Sequence, residues 1–143
     1  MSRSVPAWLL VRAGPRLVGL ALARVVEVIE PGTVHPVPTT EPAVRGVTGV
    51  RGRILPVVHL GALLEGTPCP ALAGDTIVVV ELEACRVCLE VDGAEEVLVC
   101  AGLPLSDAAT LPWATAVARH GDTLVPLLDL DGLGTRIREA ASA

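Results

Sequence analysis

Short apolar runs rich in valine and leucine recur along this chain, each set off from the next by glycine, proline or charged residues. Runs this short between turn signals predict β-strands, because an amphipathic helix needs a longer stretch with apolar positions three and four apart. Trp8 to Val11, Leu17 to Leu22 and Val25 to Ile29 are the first three. Ala13-Gly14-Pro15 and Ala23-Arg24 turn the chain between them, and Pro31-Gly32 ends the third. Pro36, Pro38 and Pro42 hold residues 35–42 as an extended connector that cannot join a ladder freely, since proline has no amide donor. Val44 to Val50 and Arg53 to His59 then form a hairpin with Arg51-Gly52 at its tip. Gly46 and Gly49 permit a bulge or a close backbone contact, and Pro56 confines part of the returning strand to an edge or bulge. Leu60 to Glu65 is a short helix closed by Gly66, and residues 67–74 are a proline-bearing linker.

After the linker the pattern restarts. Ile77 to Val80, Arg86 to Val91, Glu96 to Leu98, Ala114 to Arg119 and Thr123 to Leu128 read as strands. His120-Gly121-Asp122 is a second hairpin tip, and Leu130 to Glu139 a terminal helix. Arg53-Ile54-Leu55-Pro56-Val57-Val58-His59-Leu60 recurs seventy positions on as Thr123-Leu124-Val125-Pro126-Leu127-Leu128-Asp129-Leu130. Glu27-Val28-Ile29 recurs as Glu96-Val97-Leu98 at an offset of 69. Repetition at this period predicts an all-β chain of two five-stranded barrel lobes, each with a short helix after its proline strand. Lobe one covers about 8–66, the linker about 67–74 and lobe two about 75–143. The glycine-flanked Arg51 does not repeat: Gly121 stands at the matching position. That marks the first tip as the place to look for a partner.

Composition removes several function classes. The chain has 143 residues, 51% of them apolar and 19% charged, so it can bury a core and is not disordered. Its net charge is −5, and Trp8 and Trp113 are its only aromatic side chains apart from histidine. Neither suits a phosphate backbone or stacked bases, so no nucleic-acid partner is expected. No apolar run reaches the roughly 20 residues that cross a bilayer, and residues 1–8 make a poor signal peptide. A cytoplasmic protein with reduced thiols is the expectation.

Candidate chemistry is thin. Cys85 and Cys88 are spaced C-x-x-C, and Cys69 and Cys100 complete a count of four. The pair falls within a predicted strand, where positions three apart face opposite ways, so small apolar thiols are expected ahead of a zinc site. Ser2, Ser4, Ser106 and Ser142 lie in no nucleophile elbow, and His35, His59 and His120 are scattered. Residues 46–52 are glycine-rich but lack the lysine of a phosphate-binding loop. Glu81, Glu83, Glu90, Asp92, Glu95 and Glu96 read as a solvated strand face. Arg51 is the sharper candidate. An exposed Arg–Glu pair is worth only about 0–1 kcal/mol. If Arg51 meets Glu27 of the third strand, orienting a binding surface explains the pair better than stability does.

Residues 41–60, Glu-Pro-Ala-Val-Arg-Gly-Val-Thr-Gly-Val-Arg-Gly-Arg-Ile-Leu-Pro-Val-Val-His-Leu, resemble the signature of CheW-like domains. Val25 to Ile29, Val91-Asp92-Gly93 with Glu96-Val97, and Leu124 to Leu130 resemble further motifs of that family, in order, over nearly the whole chain. The resemblance implies two SH3-like β-barrels around a joint apolar core. It implies no catalysis and no cofactor. It implies an adaptor that couples a CheA-type histidine kinase, through that kinase's regulatory CheW-like domain, to the cytoplasmic helical hairpin of chemoreceptors. Other CheW-like proteins are further partners of that kind. The adaptor would be cytoplasmic and recruited to membrane receptor arrays without inserting. By motif match, Val25, Glu27, Gly46, Val47 and Arg51 face or brace the receptor groove between the lobes; no residues are assigned to the kinase. Two positions depart from the pattern: Gly49 stands where the tip has asparagine, and His59 where the proline strand ends in aspartate. A scaffold for a different motility or developmental array, or one without kinase coupling, is the alternative. A small-molecule sensor and a zinc-stabilised domain are rivals of other classes.

Overall fold

The computed structural model describes residues 5–83, 85–104 and 113–141; Ser2, Ser4, Ser106 and Ser142 lie outside them. Among the described residues, eleven strands and two helices follow in chain order: β1 (Ala7–Ala13), β2 (Arg16–Ala21), β3 (Val25–Ile29), β4 (Val44–Val50), β5 (Arg53–His59), α1 (Leu60–Glu65), β6 (Thr76–Glu81), β7 (Arg86–Val91), β8 (Gly93–Val99), β9 (Leu103–Pro104), β10 (Ala114–His120), β11 (Thr123–Leu128) and α2 (Leu130–Ala141). A single 3₁₀ turn, Leu22–Arg24, precedes β3.

The strands make two sheets. One runs β8-β1-β2-β11-β10 with the two-residue β9 at its edge; the other runs β3-β6-β7-β5-β4. Substituting β1 for β6, β2 for β7, β8 for β3, β11 for β5 and β10 for β4 turns one order into the other. The register obeys the same rule. Val57 lies opposite Cys88 in the parallel pair β5–β7, and Leu127 opposite Gly19 in the parallel pair β11–β2. Register shifts fall at Val44/Gly46 and at Ala114/Ala116, seventy residues apart. The sequence repeat is therefore a repeat of topology.

The halves do not fold side by side. Each sheet takes its central hairpin from one half of the chain and its other long strands from the other half. The stretches 8–66 and 75–143 describe the repeat, while the sheets are built by exchange across the linker.

Alternation along the strands explains two cores. Val78, Val80, Val87, Leu89, Val91 and Val58 join Leu9, Val11, Val18, Leu20 and Leu128 in a core shared by both sheets, which α1 and α2 cap with Leu60, Leu63, Leu133 and Ile137. The intervening residues Ile77, Val79, Cys88, Leu55, Val57 and Val50 fill a smaller core belonging to the β3–β4 sheet alone. Both faces of β6 and β7 are thus covered, and their sequences read as near-continuous apolar runs. Gly19 stands where the other half has Cys88, and a Cβ there would lie 2.7 Å from the Leu127 side chain. The smaller residue accommodates the larger neighbour, Leu127 in place of Val57.

His59 accounts for one departure from the family pattern. Its Nδ1 accepts the Ala62 amide at 3.0 Å and caps α1. Asp129, its counterpart, accepts the Gly132 amide at 3.1 Å at the start of α2. A buried carboxylate, Glu90, pairs with His59 across β5–β7, with His59 Nε2 3.9 Å from Glu90 Oε1. The position matching Glu90 in the other half is Ala21. An aspartate cap beside Glu90 would put two carboxylates together, whereas neutral histidine caps with Nδ1 and turns Nε2–H toward the acid.

Glu90 is not part of a solvated face. It is 1% exposed, and Arg45 Nε and Nη2 donate to it at 2.7–3.0 Å. The same guanidinium donates to the carbonyls of Pro70 and Leu72, so one arginine ties β4, β7 and the linker together. A buried acid needs such a partner.

Candidate functional site

The β4–β5 hairpin closes through Arg51 and Gly52, with φ of 49° and 80°. Two positive φ values give a turn whose twist matches the strands, and Asn-Gly is the usual occupant. Arginine in the left-handed region costs about 1 kcal/mol. Arg51 is the only non-glycine residue with positive φ among the described residues. Its side chain is 77% exposed, yet Nε donates to Glu27 Oε2 at 2.7 Å. A contact that exposed is screened by solvent and adds little to stability, so stability does not explain the turn. What it achieves is orientation. Glu27 holds the guanidinium over the end of the sheet and raises its pKa, first by the hydrogen bond and then by charge.

β3 and β4 are opposite edges of a five-stranded sheet. Laid flat, they would stand roughly 19 Å apart at about 4.8 Å per strand. Contact between Glu27 on one edge and the tip of the other shows that the sheet curls round its small core. Glu27 sits where the β3–β6 register shifts, opposite Val79, and the bulge aims it.

The other half carries the same device in different chemistry. Glu96 lies opposite Leu10 at the equivalent register shift, and His120 Nε2 lies 2.9 Å from Glu96 Oε1. Gly121, not His120, is the positional match of Arg51, so comparing positions alone missed the second pair. The first tip is distinct in pairing its glutamate with a guanidinium where the other half uses an imidazole.

Of the five residues expected at the groove, the structure joins Glu27 and Arg51. They line a pocket of about 340 Å³ with Val26, Val50, Arg53, Leu55, Val79 and Arg86. Val25, Gly46 and Val47 lie outside it. Val25 packs against the shared core. Val47 exchanges both backbone hydrogen bonds with His35 of the connector, at 2.8 and 2.9 Å. Gly46, at φ 155°, lies so close that a Cβ would approach the His35 carbonyl oxygen to 2.2 Å. These two hold the connector against β4. Arg53 and Arg86 had no signal of their own in the sequence; they lie on different strands of different halves.

Among the described residues, nothing at the other candidate positions supports catalysis. All four cysteines are free. Burial pushes the Cys88 thiol up to about 11. Burial, more than any neighbouring charge, also raises Cys69, whose Sγ–H donates to the Ala43 carbonyl at 3.0 Å. Neither is an activated thiolate. His59 is lowered, first by burial. The described residues contain no group of three or more metal-ligating side chains, and none of their helices is long and apolar enough to cross a membrane.

Two curled sheets joined by a common core define a mostly β protein of two lobes, consistent with paired SH3-like modules. The model of the CheW-like domain matches residues 7–138, and the chain belongs to that family, one of non-catalytic scaffolds and adaptors. Among solved structures it is similar to the scaffolding protein TtCheW from Thermoanaerobacter tengcongensis, with a TM-score of 0.79 and 21% identity over 92% of this chain and 89% of that one. At that identity the likeness is one of fold. No curated protein matches the chain.

Proposed function

We propose that this chain is a chemosensory scaffold that couples a CheA-type histidine kinase to the cytoplasmic helical hairpin of chemoreceptors. It acts in the cytoplasm and is held at receptor arrays by its partners. Arg51 and Glu27 present the contact surface, and Val25, Gly46 and Val47 brace it. The observation that carries this is the Arg51 turn: a strained, exposed guanidinium fixed at 2.7 Å by a glutamate from the opposite sheet edge. Strain kept at an exposed position without a return in stability is characteristic of a binding element. An amphipathic helix against an apolar surface with a fixed cation at its rim is a recurring mode of recognition. Co-purification of the tagged chain from its native cells is the test. A histidine kinase and a receptor should come down together, and Arg51→Asp should deplete the receptor. Recovery of neither protein with the wild-type chain would overturn the proposal.

A further inference from the structure

His59 lies in a buried cluster whose residues only one half of the chain possesses. Glu90 accepts from Arg45, whose Nη1 donates to the Pro70 carbonyl at 3.0 Å and Nη2 to the Leu72 carbonyl at 3.4 Å. The imidazole joins this arrangement to α1: Nδ1 accepts the Ala62 amide, and Nε2 stands 3.9 Å from Glu90 Oε1. It packs under the first turn of α1, where a Cβ at Gly61 would lie 3.3 Å from its Cε1. The other ionisable groups come from each neighbouring element. Asp92 follows β7 and accepts the Gly14 amide of the β1–β2 turn at 2.8 Å. Cys69 of the linker donates its thiol to the Ala43 carbonyl, which also takes the His59 amide at 2.8 Å. Glu41 of the connector accepts the Ala43 amide at 3.3 Å. Glu65, at the far end of α1, pairs with Arg16.

A proton on this imidazole alters both of its contacts. Nδ1 then carries a hydrogen and cannot accept from Ala62, so α1 loses its cap. Arg45 and His59 become two cations sharing the Glu90 carboxylate in a space largely closed to water, where net charge is costly. Of the three side chains Arg45 is the least enclosed, at 17% exposed against 11% for His59 and 1% for Glu90. It is the one that can swing to solvent, and its departure frees the carbonyls of Pro70 and Leu72. Because α1 and the linker are consecutive, both effects fall on one segment, residues 60–72.

The repeat supplies an internal control. Asp129, Thr115 and Ala21 stand at the positions matching His59, Arg45 and Glu90. Asp129 caps α2 as a carboxylate, and neither an acid nor an arginine occupies the other two positions.

We propose that His59 is a proton-operated latch: its protonation uncaps α1 and releases the linker from Arg45, loosening the Leu60 and Leu63 cover of the shared core while the α2 end stays closed. The latch belongs to this fold and works whichever partner the chain serves. Burial, with Arg45 adding to it, outweighs Glu90 and Asp92 and lowers the His59 pKa from its ordinary 6.5. In the opened segment the imidazole regains that ordinary value, so closure is complete above about 6.5. Below it, closure weakens by up to about tenfold per pH unit and levels off under the folded value.

Hydrogen exchange of the whole chain tests this, read by peptide mass spectrometry from about pH 7.5 to 5 and corrected for the intrinsic pH dependence of amide exchange. Relative to α2, segment 60–72 should lose protection by about threefold or more across that range. His59→Asn, which caps without titrating, should abolish the dependence. Should that variant be open at every pH, the wild-type chain still decides by NMR: the His59 ring nitrogens and the Ala62 and Thr67 amides should titrate together, with one midpoint below about 6.5. Unchanged protection of segment 60–72, an equal loss in α2, or a dependence that persists in His59→Asn would overturn the inference, and so would ring and amide midpoints that differ.

Discussion

Arg45 offers the most quantitative test of how this fold is held together. Its guanidinium is the partner of Glu90, whose side chain is 1% exposed, and it also donates to two linker carbonyls. Arg45→Ala leaves a buried carboxylate without its charge partner. Breaking a buried pair from one side typically costs about 3–5 kcal/mol. The Arg45 side chain is 17% exposed, so water reaches the gap and the lower end applies, about 3 kcal/mol. For a chain of this size that is a fall in melting temperature of about 10 °C. Glu90→Gln should cost less, because an amide still accepts from Arg45 and the arginine can turn to solvent. Replacing both with Arg45→Met/Glu90→Leu should recover most of the loss, since the desolvation of two charges goes with them. Urea unfolding of the four proteins measures these differences. Limited proteolysis should show the linker, residues 67–74, cut faster in Arg45→Ala. A loss below about 1 kcal/mol in Arg45→Ala, with the linker cut no faster, would refute the reasoning.

Other expectations follow from the same contacts. His59→Ala should lose about 1 kcal/mol with the α1 cap, and His59→Asp should fail to restore it unless Glu90 is also made glutamine; unfolding of the single and double variants measures the coupling. Because burial lowers the folded His59 pKa, the unfolded chain takes up its proton first as pH falls through about 6.5. Stability contributed by neutral His59 is therefore complete above that pH and declines between it and the lower folded value. His59→Asn, which caps but does not titrate, should flatten that part of a stability–pH curve, and an unchanged slope would count against the assignment. Gly46→Ala drives a Cβ into the His35 carbonyl and should destabilise by about 2 kcal/mol or more, read by thermal melting. Cys88, buried and with its pKa near 11, should be the last of the four thiols alkylated in native protein, read by mass spectrometry.

Much of the fold was legible because turn chemistry and strand pattern agreed. Val44–Val50, Arg53–His59 and Arg86–Val91 run between the residues the glycines, prolines and charges indicated, and Gly66 closes α1 at φ 71°. The repeat was visible because the proline strands match residue by residue. Hairpin exchange was not visible, since a strand reads the same whichever half supplies its neighbour. The pairings that create the exchange, β5 with β7, β11 with β2, β3 with β6 and β1 with β8, carry no local signal. Glu90 looked like the polar position of an amphipathic strand; its partner lies 45 residues away on β4. At the site, Arg51 and Glu27 could be named from a glycine-flanked tip and a lone acid among valines. Arg53 and Arg86 became part of it only when the sheet curled.

The central claim is that the Arg51 turn exists to bind a partner and not to stabilise the fold. Its most direct test is a binding isotherm of a purified chemoreceptor cytoplasmic hairpin with the wild-type chain and with Arg51→Asp, each paired with a thermal melt. The expected result is affinity lower by about tenfold or more with stability within about 1 kcal/mol of wild type. Unchanged affinity in a folded Arg51→Asp protein, or a loss of affinity that merely follows a loss of fold, would contradict it.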